Sequence, residues 1–390
     1  MLASFDFSAA ISSAGSRPAT PKVYASRTCR SVTAAQAGRN QRADPVFCLS
    51  VVVRRGRARL VYLGVLGCAA LGVALGGCSG GSSPVKAVTS AEHNLTIAQA
   101  QAAYNFYVTQ STAAARQGDA TSGLALVAGG EWSIVHAQYR ALANTGTPVP
   151  RYGYGTPTFY VPALSSYPEW FVVTVPVTPA PGAAAVNTIM AFDKPAADES
   201  WTLNGAAVLD QPLPAIAHDS AGYAVNVSTK DTSLLLTPNV VGATQAAVAD
   251  EGPATPAAAV IASGPQTTGI YTSQSAQNSS YNSRGLSYIW LLEGAAVPQF
   301  DLRTADGGAL VIYTMYLNTT IEHPGNVFGA KIAMPAGFAP ITAPSTATGA
   351  HGVAANWTYE FAAIDPPASA HNAKAQVIAA SGTPTFGDSY

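Results

Sequence analysis

Charge is scarce in this 390-residue chain. Asp, Glu, Lys and Arg make up 11% of it, against about 25% in an ordinary soluble protein. That leaves few charged side chains as candidates for chemistry. Cysteine is scarcer still: there are 4, at Cys29, Cys48, Cys68 and Cys78, and none follows residue 78. The long remainder therefore has no disulfide, no thiolate zinc cluster and no thiol nucleophile. The 6 histidines are not spaced as ligand pairs. HExxH, the P-loop and the dinucleotide fingerprint do not occur, and no Gly-x-Ser-x-Gly elbow lies beyond residue 78. No catalytic residue, metal or cofactor is expected from motifs.

The formal net charge of -1 conceals two unlike segments. Residues 1–77 hold 10 basic residues and only Asp6 and Asp44, whereas residues 78–390 hold 10 basic and 19 acidic residues. An acidic body of this kind is a poor fit to nucleic acid, which is bound through basic clusters. At the boundary Arg54, Arg55, Arg57 and Arg59 precede an uncharged stretch, 60–75, and then Gly76, Gly77 and Cys78. A basic region, a short apolar region and small residues before a cleavage point form a secretory signal. The uncharged stretch is shorter than the roughly 20 residues that span a bilayer. A cysteine after two small residues resembles the lipobox of bacterial lipoproteins. That resemblance implies cleavage between Gly77 and Cys78 and an acyl anchor, such as palmitate, on Cys78. Residues 1–53 then form a non-native or disordered extension, 54–77 the signal peptide, and the Gly/Ser-rich 78–92 a flexible tether.

Beyond the tether the chain alternates between helical and strand patterns. Thr96 and Gln99 have capping-box spacing ahead of a helix that Gly118 ends. Asp119 can cap a second short helix, and 131–143 reads as a third with Trp132, Val135, Tyr139 and Leu142 on one face. Strand patterns follow at 152–161, 169–177, 187–192 and 201–209, separated by turn clusters. The second half repeats the order more loosely. Helix candidates at 256–262 and 268–282 precede strands at 288–292, 300–304 and 309–321, with an Asp-Gly turn between the last two. A loop is expected at 334–349 and final strands at 356–364 and 375–380. Helices followed by antiparallel strands predict an α+β fold. The predicted organisation is two tandem domains, 93–228 and 265–390, each with N-terminal helices on a curved antiparallel sheet, joined by a connection at 229–264.

Several segments resemble uncharacterised secreted lipoproteins of high-GC actinobacteria. They are Leu95-Thr96 with Gln99-Ala100 and Ala103-Tyr104, Tyr167-Pro168-Glu169-Trp170-Phe171, Asp219 with Gly222-Tyr223-Ala224, and 302–310. The resemblance implies no assigned activity. The helices-then-sheet order is similar to the cystatin-like, NTF2-like class, which implies a sheet wrapped around helices with a cone-shaped cavity.

The best binding-surface candidates are aromatic: Tyr152, Tyr154, Tyr160 and Trp170, whose rings combine an apolar body with a polar tip. His136 is added because its helix is placed to present it to a cavity, where a neighbouring carboxylate makes it a base. His218-Asp219 reads as a turn. Asp301 and Arg303, on one strand face, read as an ion pair and Asp306 as a turn residue. The functional expectation is a lipid-anchored protein on the extracytoplasmic face of the cell membrane. It acts as a non-enzymatic binding or interaction module for an envelope protein or cell-wall component. The alternatives are a carrier of a small apolar ligand and an enzyme using a cavity His/Asp pair.

Overall fold

The computed structural model describes residues 95–390 apart from Pro181 and 326–328. The expected extension, signal peptide, tether, cleavage point and Cys78 anchor lie outside the described residues. Among the described residues no helix is long and apolar enough to cross a membrane.

The first half begins with α1 (Ile97–Gln117). Thr96 accepts from the Gln99 amide and Gln99 reaches back to Thr96, the expected capping box, while Gly118 closes the helix in the left-handed conformation. Asp119 caps α2 (Ala120–Leu124), and α3 spans Gly129–Thr145. The buried stripe of α3 agrees with the predicted one at Tyr139, with Val135 partly buried, and departs from it elsewhere. Gly130, Ile134, Ala137 and Ala141 turn inward, whereas Trp132 is 43% exposed. Small side chains face inward because α3 lies directly on the sheet, against Val353 and Ala355, and on the turn that carries Phe338. A tryptophan on that stripe would hold the helix off.

The predicted strand at 152–161 is two short ones, β1 (Gly153–Tyr154) and β2 (Thr158–Tyr160), both antiparallel to β3 (Glu169–Thr178). Next come β4 (Val186–Lys194) and β5 (Thr202–Leu209). β3 alternates its burial: Phe171, Val173 and Val175 pack on α1 with Tyr104, Tyr107 and Phe192. Val172 and its neighbours face the opposite cluster with Ile189, Leu302 and Leu310.

The second half has the same topology. The segment 229–264, read as a connection, holds α4 (Pro238–Glu251), which packs on α5 (Thr268–Asn282) and the sheet. Then β6 (Ser287–Gly294) and β7 (Phe300–Arg303) both run antiparallel to β8 (Ala309–Glu322). The 334–349 loop contains 3-10 turns at Ala336–Ile341 and Pro344–Thr346, and its ends pair as β9 (Ile332–Ala333) and β10 (Thr348–Gly349). The long strands β11 (Gly352–Asp365) and β12 (Gln376–Ser389) follow. Each half is therefore helices, an interrupted edge strand and a three-strand meander.

The two halves share one ten-stranded sheet, ordered β1-β3-β4-β5-β12-β11-β8-β6, with β2 and β7 beside β3 and β8. The chain is thus α+β with a large antiparallel sheet, and the two sets of strands meet on their last members. The seam is narrow: Leu209 and Val208 pair with Ala379 and Ala380, and the Asp210 amide donates to the Ile378 carbonyl at 2.8 Å. Farther along β5 other groups satisfy the backbone, as buried peptide groups require. The Leu203 amide donates to the Leu126 carbonyl at 3.0 Å, its carbonyl accepts from Ala128 at 2.9 Å, and the Ala206 amide donates to Glu360 at 2.5 Å.

The outer edges differ. β1 and β2 are two and three residues long, while β6 has eight. β6 exposes Ile289 and Leu291 at 54% and 49%. Its Leu292 amide is occupied by the Asp250 carboxylate of α4, at 2.9 and 3.2 Å.

Candidate functional site

The start of α3 is wedged into the seam. Gly129 adopts φ 55°, and a Cβ there would lie 2.8 Å from Asn204 Oδ1. At Gly130 a Cβ would lie 2.6 Å from Thr314 and 2.9 Å from Glu360 Oε1. The two glycines let the helix approach closely enough to bring Glu131, in its first turn, against Glu360 of β11.

Glu131 and Glu360 form an interacting carboxyl pair, and Glu360 Oε1 is buried with no other hydrogen-bond partner. Glu360 is only 1% exposed, and its Oε2 accepts the Ala206 amide at 2.5 Å. Removal from water pushes both carboxyls above their ordinary range, and the neighbouring charge of Glu131 raises Glu360 further. Two carboxylates in contact do not both ionise at neutral pH. Glu360 keeps its proton, and Glu131, raised to about 7, is the carboxyl of the pair that ionises.

Glu131 also forms part of the wall of a cavity of about 40 Å³ between α1, α2, α3 and the 149–154 segment. Four tyrosines share the wall: Tyr107 from α1, Tyr139 from α3, Tyr152, and Tyr154 from β1. Their hydroxyls are organised before any ligand arrives. Tyr107 donates to Tyr154, and Gln138 donates to Tyr152. Burial, with the charge of Glu131 nearby, holds Tyr107, Tyr152 and Tyr154 well above the usual phenol range, so they stay protonated. Gly123 makes room for Tyr139, whose hydroxyl would lie 2.2 Å from a Cβ at that position. Arg151 stands exposed in the cavity wall. Deeper, the Tyr104 ring meets Tyr154 edge-on at 6.3 Å, and its hydroxyl is buried without a hydrogen-bond partner.

Of the sequence-predicted residues, only Tyr152 and Tyr154 reach this cavity, with ring centroids 6.5 Å apart. Tyr160 and Trp170 point to the other sheet face, where Tyr160 lies 6.4 Å from His218 and Trp170 5.6 Å from Phe300. Strand alternation sends neighbouring aromatics to opposite faces. His136 is on the 132–136–140 stripe of α3, stacked on Trp132 at 4.8 Å. Partial burial, then the charge of Arg140, lowers its pKa. Its charged neighbour is thus a cation, whereas the His/Asp reading needs a carboxylate. The predicted Asp301–Arg303 pair is not formed. Arg303 pairs with Asp231, while Asp301 accepts Gln299 at 2.9 and 3.0 Å, and burial raises its pKa to about 7. Asp306 and Asp219 are turn residues as read, accepting the Gly308 amide and the Ala221 and Tyr223 amides.

Sequence reading missed Glu360, Gln138, Tyr107 and Arg151 and treated Glu131 only as a helix start. One signal was present: Glu360 is the only charged residue in 352–364, a strand of otherwise uncharged residues. A lone acid in such a run is either partnered or protonated. Among the described residues no group of three His, Cys, Asp or Glu is placed to hold a metal ion.

Neither a curated protein nor a solved structure shows significant similarity to the chain. A sequence family described as a domain of unknown function, DUF8094, matches residues 91–385, and the chain belongs to that family.

Proposed function

We propose that the chain is a lipid-anchored protein of the extracytoplasmic envelope, similar to actinobacterial secreted lipoproteins, and that it works as a non-enzymatic binding module. The observation that carries the binding role is the tyrosine-lined cavity between α1 and α3, with its hydroxyls already paired and Glu131 in its wall. Preorganised polar groups in a concave setting that includes four tyrosines favour recognition. Tyrosines held protonated serve as hydrogen-bonding walls and are poor bases. The anchor reading rests on the basic cluster, the apolar stretch and Gly76-Gly77-Cys78. The twice-repeated helices-then-meander order supports placing each half in the cystatin-like, NTF2-like class.

A cavity of about 40 Å³ suits a small head group. Pockets for drug-sized ligands are several hundred Å³, so the carrier reading has less support. A second reading is favoured by the carboxyl pair itself: a raised acid at a cavity wall is a pattern of general acid chemistry. It predicts turnover of a wall-derived substrate that E131Q abolishes.

The test is metabolic labelling with an alkyne palmitate analogue, followed by crosslinking in intact cells. Label on the native chain, its loss in C78A, and a crosslinked envelope partner support the proposal. Equal labelling of C78A, or no partner above a mock sample, overturns it.

A further inference from the structure

We infer that the tyrosine-lined cavity receives one primary ammonium group carried on a slender stem, an inference that rests on the binding-module reading above. Four observations converge on that chemistry. The first is size. A cavity of about 40 Å³ exceeds the 10–15 Å³ or so that a single water requires, leaving room for an ammonium and a methylene or two.

The second is charge. Glu360 keeps its proton, so Glu131, raised to about 7, is the carboxyl of the pair that ionises at the cavity wall, and a cation beside it favours the ionised form. One cation balances it. An anionic ligand would instead add a second buried negative charge.

The third is hydrogen bonding. An ammonium has three donors and no acceptor. The wall offers the Glu131 carboxylate and the hydroxyl oxygens of Tyr152 and Ser111. Tyr154 already accepts from Tyr107, and Tyr152 from Gln138, which leaves a lone pair on each phenol oxygen for an incoming donor.

The fourth is the aromatic enclosure. Tyr107, Tyr139, Tyr152 and Tyr154 line the same small space, and a cation over the face of a tyrosine ring is attracted by its quadrupole. The exposed guanidinium of Arg151 disfavours ligands with a second positive charge close to the first. The ammonium belongs either to a free alkylamine or to a lysine-type side chain of a partner.

The experiment uses the full chain in detergent micelles at neutral pH. It follows tyrosine difference absorption and calorimetric heat during titration with ethylammonium and with N-acetyl-lysine methylamide. Tetramethylammonium, which lacks N–H donors and is too wide, and acetate are the comparison ligands. The expected result is saturable binding of one or both amines and none of the comparison ligands. E131Q should bind at least ~10-fold more weakly, as befits the loss of a charge-assisted hydrogen bond. Y152F should weaken binding too, and it keeps the result interpretable if E131Q folds poorly. E293Q, at an exposed position on β6, should bind like the native chain. Tighter binding of the lysine derivative assigns the ammonium to a partner side chain, and tighter binding of ethylammonium assigns it to a free amine. Failure of both amines to saturate, unchanged affinity in E131Q and Y152F, or equal binding of tetramethylammonium overturns the inference. A crosslinked partner recovered despite such a result leaves the binding-module reading standing, so the two fail separately.

Discussion

The two halves of the sheet have one topology and two interiors. In the second half the helix–sheet interface is closed. Tyr313 donates to Gln245 at 2.5 Å, Gln245 donates to the Gln266 carbonyl at 2.8 Å, and Val311, Met315 and Leu317 fill the space around them. In the first half the corresponding interface is aromatic and left incomplete. A cavity remains, Tyr104 has no hydrogen-bond partner, and Glu131 is set against Glu360 of the other half. A frame used twice is closed where apolar packing and internal hydrogen bonds fill the helix–sheet interface. Where pairing is left open, an interior becomes a place for something else.

The sharpest way to break this comparison is to damage one half and watch the other. Phe171 and Phe361 are both fully buried, in the first and second half respectively. Phe171→Ala and Phe361→Ala should each cost about 3–5 kcal/mol. Because Glu360 and α3 bridge the halves, thermal denaturation should show one shifted transition in each variant. Two separated transitions would mean that the narrow β5–β12 seam does not couple them.

The next effect concerns the interrupted edge strands. β2 carries Phe159 where β7 carries the buried Asp301, whose pKa is raised from 3.8 to about 7. A folded-state pKa above the unfolded value gives stability that is complete below pH 4 or so and is lost as pH rises through 7. Asp301→Asn should remove that loss and gain about 2–4 kcal/mol at pH 8 relative to the native chain, with little gain at pH 4. Urea melts at the two pH values check it, and an equal effect at both would contradict the assignment.

Two helix glycines separate the halves more finely. Gly130→Ala in α3 pushes a methyl into Thr314 and Glu360 and should cost about 1–3 kcal/mol. Gly242→Ala in α4 meets the Tyr313 ring at 3.3 Å and Met315 Sδ at 3.8 Å. There the better helix propensity of alanine, about 1 kcal/mol, should leave stability unchanged or higher. The smallest contrast is between hydroxyls. Tyr313→Phe strands Gln245 and should cost about 1–2 kcal/mol, while Tyr104→Phe removes an unpaired hydroxyl and should be neutral or stabilising. If Tyr104→Phe proved as costly as Tyr313→Phe, the open-interior description of the first half would fail.

Much of this architecture was legible in residue patterns, for local reasons. The Thr96/Gln99 box, the Gly118 stop and the Asp306-Gly307 turn are decided within a few residues, and each folds as read. Helix α4 escaped notice because Val240, Val241, Gly242 and Thr244 dilute its helical pattern. Its signal was Thr237-Pro238, a capping residue followed by proline at the first helical position. The site was less legible. Tyr152 and Tyr154 were identified by density of aromatics, but that density also promoted Tyr160 and Trp170, which alternation sends to the other face. Glu131 and Glu360 are far apart in the chain and meet only because Gly129 and Gly130 let a helix into the seam. No pattern confined to one element encodes that meeting.

The Asp250 carboxylate on the Leu292 amide has a further consequence, for behaviour in a crowd. An eight-residue edge beside exposed Ile289 and Leu291 is the kind of surface on which copies of a chain zip together. Asp250 acts as a stopper on that edge, since an incoming strand must displace a charged acceptor before it can pair. Burial lifts the Asp250 pKa to about 6. In mildly acidic surroundings the stopper takes up a proton and holds the amide less firmly. The margin between a dispersed and a self-associating protein then narrows by one proton at one edge.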